Sequence, residues 1–229
     1  SWPVMLEQTL KTLYPDANIT FKNIAHGGKT AKWGSERLLT RLGYLERDFG
    51  WTYETPDLLI LAYGGNDMTA GFTPDVFKGY MQSIITQYRD YKQDESAEIL
   101  LWTETRHHTQ VTQYAKENHD AYQQVNYELA DENGSIGVVD TLNVFNEVVQ
   151  SKPETDVYND CVIHINDFST RVIVQCFVEA LTTKEEEVET PVADFSGDGN
   201  TDLEDVTLLA RHFAGWDTSL EETVLDLNG

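Results

Sequence analysis

The run Gly64-Gly65-Asn66-Asp67 follows the apolar stretch Leu58-Leu-Ile-Leu-Ala62 after the single residue Tyr63. A strand that ends in two glycines can deliver an asparagine amide to the rim of a sheet, where it donates to the oxyanion that develops during acyl transfer. Taken alone, the same Asn-Asp pair suits a turn or a helix cap. Upstream, Asn23-Ile-Ala-His26-Gly27-Gly28-Lys-Thr30 leaves a β-rich run through paired glycines and enters a helical pattern. Backbone N–H groups near Gly28 can then point at the same developing charge. Downstream, Asp160-Cys161-Val-Ile-His164-Ile-Asn-Asp167 sets a histidine just ahead of a helix. Such a histidine can serve as general base toward a hydroxyl nucleophile and as general acid toward the leaving alcohol.

These residues need a scaffold that collects them at one edge, and the pattern of residues 1–182 supplies a candidate. Short β-rich runs alternate with longer amphipathic stretches, which predicts a parallel α/β domain. Strands are expected at Ile19–Ala25, Asp57–Tyr63, Glu98–Thr103 and Ile136–Asp140, and helices at Lys32–Phe49, Pro74–Lys92, Val111–Asn133 and Asp167–Leu181. A further helix opens at Trp2-Pro3, with Leu6, Leu10 and Leu13 on one face. In sheets of this kind ligands bind beyond the carboxyl ends of the strands, which is where His26-Gly27-Gly28 and Gly64–Asp67 fall.

The three segments, in this order, resemble the second, third and fifth sequence blocks of the SGNH/GDSL hydrolase family. The resemblance covers about residues 1–182. It implies a three-layer α/β/α, flavodoxin-like fold with a short parallel sheet, and ester hydrolysis through an acyl-enzyme without a catalytic cofactor. By position, Gly28 and Asn66 match the oxyanion-hole residues and His164 the catalytic base. The stretch Gly27-Gly28-Lys-Thr-Ala-Lys-Trp33-Gly34 looks like bacterial members that deacetylate plant polysaccharides.

Two departures from the family pattern matter. No Gly-Asp-Ser occurs in the chain, so the nucleophilic serine is expected upstream of Ser1, together with a strand of the sheet, and the chain as given is expected to be inactive. Ser1, Ser35 and Ser169 read as ordinary helix-region serines. The acid of the triad stands three residues before the histidine in the family, and Cys161 occupies that place here. Either Asp160, one residue earlier, or a backbone carbonyl orients His164. His107, His108 and His119 lack partners at ligand spacing and read as solvated. Of the five tryptophans, Trp33 and Trp102 are the candidates to stack on sugar rings.

The charged run 183–191 ends in Pro191 and reads as a linker. Beyond it, the loop 194–205 carries side-chain oxygens at positions 1, 3, 5, 9 and 12 as Asp194, Ser196, Asp198, Asp202 and Asp205. Gly199 stands at the sharp turn of position 6, and Asn200, at position 7, belongs to the same ligand set. This is a Ca²⁺ signature. With Asp at position 12 and a single helix at Leu203–Ala214, residues 192–229 resemble the first half of a dockerin, and Asp226-Leu-Asn-Gly229 resembles the start of a second loop. The implied partner is a cohesin module on a scaffoldin.

The 39 acidic against 16 basic residues give a net charge of -23, which repels nucleic acid phosphates and anionic membranes. No apolar run reaches the roughly 20 residues of a membrane helix. Cys161 and Cys176, the two cysteines, read as separate buried thiols. The two resemblances together imply a secreted serine esterase acting on O-acyl groups, chiefly O-acetyl, of plant-wall polysaccharide, tethered through a dockerin. The competing reading is a dockerin-bearing adaptor with a non-catalytic shell.

Overall fold

Two helical stretches with apolar residues every three or four positions pack on a short apolar sheet, and that pairing of periods builds the larger part of the molecule. The computed structural model describes residues 1–105, 116–159 and 164–182. The described residues divide into two compact units, those of 23–145 in one, and those of 1–22 and 146–182 in the other.

In the 23–145 unit three parallel strands, β1 (Leu58–Leu61), β2 (Glu98–Thr103) and β3 (Ile136–Asp140), lie in the order β1-β2-β3. Leu61 registers with Leu101, and Leu101 with Val138. Parallel neighbours require crossovers. Helices α3 (Gly65–Thr69) and α4 (Pro74–Lys92) connect β1 to β2, and α5 (Lys116–Asp131) lies between β2 and β3. Ahead of β1 comes α2 (Ala31–Phe49), which packs against α4. Leu38, Leu42 and Leu45 of α2 and Phe77, Met81, Ile84, Ile85 and Tyr88 of α4 are the buried faces, joined by Ile99, Leu101 and Leu129. Phe77 and Tyr88 are 0% exposed, and full burial of such side chains contributes roughly 1.5–3 kcal/mol each.

The other unit contains α1 (Trp2–Leu13) and α7 (Asp167–Leu181), which pack together. Leu6 and Leu10 of α1 and Val172, Ile173 and Phe177 of α7 are buried, and Trp2 stacks on Phe177 with ring centroids 4.7 Å apart. Helix α6 (Thr141–Ser151) spans the division between the units.

The elements at 74–92, 98–103 and 136–140 match expectation, α2 and α7 closely so. The stretch Ile19–Ala25 forms no strand, which corrects its assignment. Strand structure exists only through a ladder. Here the Asn23 side chain accepts from the Ala25 N–H at 2.9 Å instead, a local turn that competes with ladder bonding. The strand expected at Asp57–Tyr63 is confined to Leu58–Leu61 because Pro56 precedes it and Gly64 turns the chain after it. Within the expected helix Val111–Asn133, residues 116–131 are helical and 111–115 lie outside the described residues. Helices α3 and α6 were not expected. The linker 183–191 and the calcium loop-helix at 192–229 also lie outside the described residues.

Candidate active site

Beyond the carboxyl ends of β1 and β2 the 23–145 unit gathers two glycine turns and two carboxylates. Gly28 has φ +75, a left-handed conformation that favours glycine. It leads to Thr30, the N-cap of α2, whose hydroxyl accepts from the Trp33 N–H at 3.4 Å. The next N–H, that of Ala31, has no acceptor within its own helix. It donates to the Asp67 carboxylate, 2.9 Å from Oδ1 and 3.2 Å from Oδ2. Asp67 is 0% exposed and also accepts from the N–H groups of Gly64 and of itself. Burial raises its carboxyl to about 6, against the opposing effect of those three donors. One carboxylate therefore ties the start of α2, just past Gly28, to the Gly64–Asp67 turn.

Gly64, with φ +142, bends the chain from β1 into α3. Gly65 and Asp67 are buried while Asn66 between them is exposed, and Gly28 is exposed as well. Chemically this is a pair of exposed N–H-bearing turns held in fixed register, suited to receiving negative charge.

Behind the turn stands Glu104, the first residue after β2. Its carboxylate accepts from the Gly65 N–H. A Cβ on Gly65 would run into the Glu104 carboxylate, so a larger residue at 65 fits only if that side chain moves aside. Burial, with a smaller contribution from the charge of Asp67, pushes the Glu104 carboxyl up to about 7. A small cleft there is lined by Tyr63, Met68, Glu104, His119, Tyr122 and Asn126 among others. Burial raises the Tyr63 and Tyr122 phenols, and the charge of Asp67 adds to both shifts. His119 is 5% exposed, which corrects its reading as a solvated histidine: α5 turns it toward the sheet rather than to water.

Close by, His26 ahead of α2 stacks on Trp33 of that helix at 5.7 Å, and the Arg41 guanidinium lies 5.8 Å from the Trp33 ring and 5.6 Å from that of Tyr44. Trp33 thus joins an aromatic surface near Gly28. Trp102 does not stand at a rim: its indole N–H donates to Thr141 Oγ1 at 2.6 Å, and Thr141 is 0% exposed.

His164 belongs to the other unit and is exposed. Its carbonyl accepts from the Asn159 N–H at 2.7 Å, beside the Tyr158–Ile165 antiparallel bridge. The Asn166 side chain caps α7 by accepting from the Ser169 N–H at 3.0 Å, and Ser169 Oγ donates to the Val157 carbonyl at 2.6 Å. These bonds hold the loop on which His164 rides and give Ser169 a structural role. Ser35 donates to the Lys32 carbonyl at 2.8 Å inside α2. Gly28 and Asn66 thus share one unit, tied through Asp67, and His164 belongs to the other. Asp160, Cys161, His107, His108 and the calcium-ligand set Asp194, Ser196, Asp198, Asn200, Asp202 and Asp205 lie outside the described residues.

Glu104 and the linking role of Asp67 are the functional features that motif spacing misses. A signal exists for the first: a carboxylate immediately after a buried central strand falls at the edge where such sheets carry their sites.

A short parallel sheet with helical crossovers and an Asn-bearing glycine turn beyond its strands is the fold of an SGNH hydrolase. A sequence profile of the GDSL-like Lipase/Acylhydrolase family matches residues 1–169, and the chain belongs to that family of esterase- and lipase-like hydrolases. Among solved structures, a GDSL-like lipase from Parabacteroides merdae is similar with TM-score 0.65 at 15% identity, over 79% of this chain and 81% of that one. The enzyme LAE5 from the metagenome of Lake Arreo gives TM-score 0.64 at 18% identity, covering 78% and 80%. The acetyl xylan esterase AlAXEase gives 0.61 at 18%, covering 79% and 90%. No curated protein matches the sequence.

Proposed function

We propose that this protein is a secreted serine esterase that removes O-acyl groups, chiefly O-acetyl, from plant-wall polysaccharides. The observation that carries the reading is the Asp67 carboxylate on the Ala31 N–H, which keeps the Gly28 and Asn66 turns in one register. Family membership supports ester hydrolysis, and the likeness in fold to an acetyl xylan esterase favours acetyl esters of a sugar polymer. The Trp33 and His26 rings near Gly28 offer a surface on which a sugar ring can stack.

In this reading the serine hydroxyl attacks the ester carbonyl while His164 takes its proton. The tetrahedral oxyanion is received by the Gly28 N–H and the Asn66 amide. His164 then returns the proton to the leaving sugar hydroxyl, and water, activated by the same imidazole, releases the carboxylic acid from the acyl-serine. Asp160 or a backbone carbonyl orients the imidazole. The chain contains no Gly-Asp-Ser, so the serine is assigned to an upstream segment, and the half-buried Leu58, Leu59 and Ile60 of β1 offer an apolar edge beside which that segment's strand can lie. Residues 192–229 are assigned as half a dockerin that binds Ca²⁺ and, when complete, a cohesin. The missing serine also favours a second reading, a dockerin-bearing adaptor with a silent hydrolase shell.

The test is expression of the longer coding region and assay on acetylated xylan and an activated acetyl ester. Asn66→Ala is expected to lower kcat by ~10²–10³ with little change in Tm, and His164→Ala to abolish turnover. Unchanged turnover in Asn66→Ala removes the amide from the mechanism, and an upstream segment without a serine block, together with no hydrolysis, establishes the adaptor.

A further inference from the structure

Acidic residues outnumber basic ones 39 to 16 in this chain, so a base with no carboxylate beside it is unexpected. Lys11, Arg47, Lys78 and Lys152 each stand within 4.0 Å of one. Lys29, Lys32, Arg37 and Arg41, just ahead of α2 and along it, pair with none among the described residues. The stretch from Lys29 to Arg47 reverses the charge of the whole, with five basic and two acidic residues. Of its two acids, Glu46 is engaged by the Tyr91 hydroxyl.

Arg41 is the best fixed of the four. Its Nε donates to the Ile24 carbonyl at 3.0 Å, and its guanidinium lies between the Trp33 and Tyr44 rings, 5.8 Å and 5.6 Å from their centroids. The rings orient the cation without neutralising it. One of its five donors is used among the described residues, and the two terminal nitrogens form the fork that fits a carboxylate through parallel bonds. Residues 33, 37, 41 and 44 recur at helical spacing, which puts Trp33, Arg37, Arg41 and Tyr44 on one side of α2. Arg37 and Tyr44 are exposed there.

This side adjoins the candidate active site. His26, two residues before Gly28, is exposed and stacks on Trp33. Burial and the Asp67 charge raise the Tyr63 phenol while the Arg41 charge opposes them, so the guanidinium is within electrostatic reach of the residue that precedes Gly64. The net charge of -23 does not cancel this local field, because exposed charges are screened beyond about 8 Å at physiological salt.

We propose that the Trp33–Arg41–Tyr44 side of α2 is a subsite for a uronate of the polysaccharide, whose carboxylate takes the terminal nitrogens of Arg41 while Arg37 and Lys32 add positive field. This rests on the reading of the chain as a polysaccharide esterase and names the kind of sugar it holds: the acidic stretches of the polymer rather than the neutral ones.

The experiment uses the 229-residue chain and requires no catalysis. It is titrated with a xylotetraose carrying one glucuronate branch, and with the same oligosaccharide methyl-esterified at its carboxyl, while the Trp33 indole and Arg41 Nε resonances are followed. Saturable shifts are expected with the acid, and affinity about tenfold or more lower for the ester. The difference should vanish near ~1 M salt, where charges are screened beyond about 3 Å. Arg41→Gln is expected to bring the acid down to the level of the ester, and Arg47→Gln, which removes a charge already paired with Asp48, to leave it unchanged. No saturable binding of the acid, equal affinity for the two forms, or undiminished binding in Arg41→Gln overturns the proposal. If Arg41→Gln fails to fold, the comparison of acid with ester in the wild type decides. Hydrolysis by the longer enzyme without this binding removes the subsite and keeps the esterase, whereas binding without hydrolysis keeps the subsite and removes the esterase.

Discussion

The Glu104 carboxyl stands where a side chain at position 65 would go. The ideal Cβ of an alanine at 65 would lie 1.9 Å from one carboxyl oxygen and 2.4 Å from the carboxyl carbon, and Gly65 is buried on all sides. Gly65→Ala is therefore expected to cost about 1–3 kcal/mol, the range for overpacking a tight interior, read as a fall in Tm. Glu104→Ala in the same chain should recover part of the loss, a coupling that a double-mutant cycle measures. The contrast is Gly28, where nothing stands within 4 Å of an added Cβ and only the positive φ resists substitution. Gly64-Gly65-Asn66-Asp67 is legible in the sequence because paired glycines after an apolar strand are rare outside turns that must expose something. Glu104 is not, because a single glutamate after a strand looks like a solvated one until its neighbours in space are known.

The helix that carries the Gly28 turn into the fold begins with a cap. Thr30→Ala removes the hydroxyl that accepts from Trp33 and should cost about 1 kcal/mol. Thermal melts should show Thr30→Ser recovering most of it. A larger loss would mean that the Ala31–Asp67 bond goes with the cap. Elements whose signals are local can be read in advance: α4 has Thr73 and Pro74 at its start and an apolar face repeating through Tyr88, and β2 carries the apolar run Ile99–Trp102. Elements that depend on partners cannot. Residues 19–25 have the composition of a strand but no ladder, and α6 starts at Thr141 directly after β3 with no glycine or proline to mark the change. Asp140 does that work, accepting from Gln123, Tyr127 and both donors of Asn143.

At the scale of the whole chain the dominating quantity is a net charge of -23. Four of those carboxylates, Asp194, Asp198, Asp202 and Asp205, crowd one twelve-residue loop. Their mutual repulsion at that spacing should leave the loop dependent on a cation. Calorimetric titration is expected to show Ca²⁺ binding at or below millimolar concentration, weaker for Mg²⁺, with the heat lost in Asp194→Ala. No heat, or heat unchanged in that variant, removes the calcium assignment.

The fit of Glu104 against Gly65 also constrains how this protein can drift. A methyl group at 65 meets the far end of the Glu104 side chain, so a lineage gains one there at less cost once the side chain at 104 has shortened. The pair should behave in descendants as a single character, glycine with glutamate or a larger residue with a smaller one. The order of the two substitutions along a branch is fixed by which intermediate still folds.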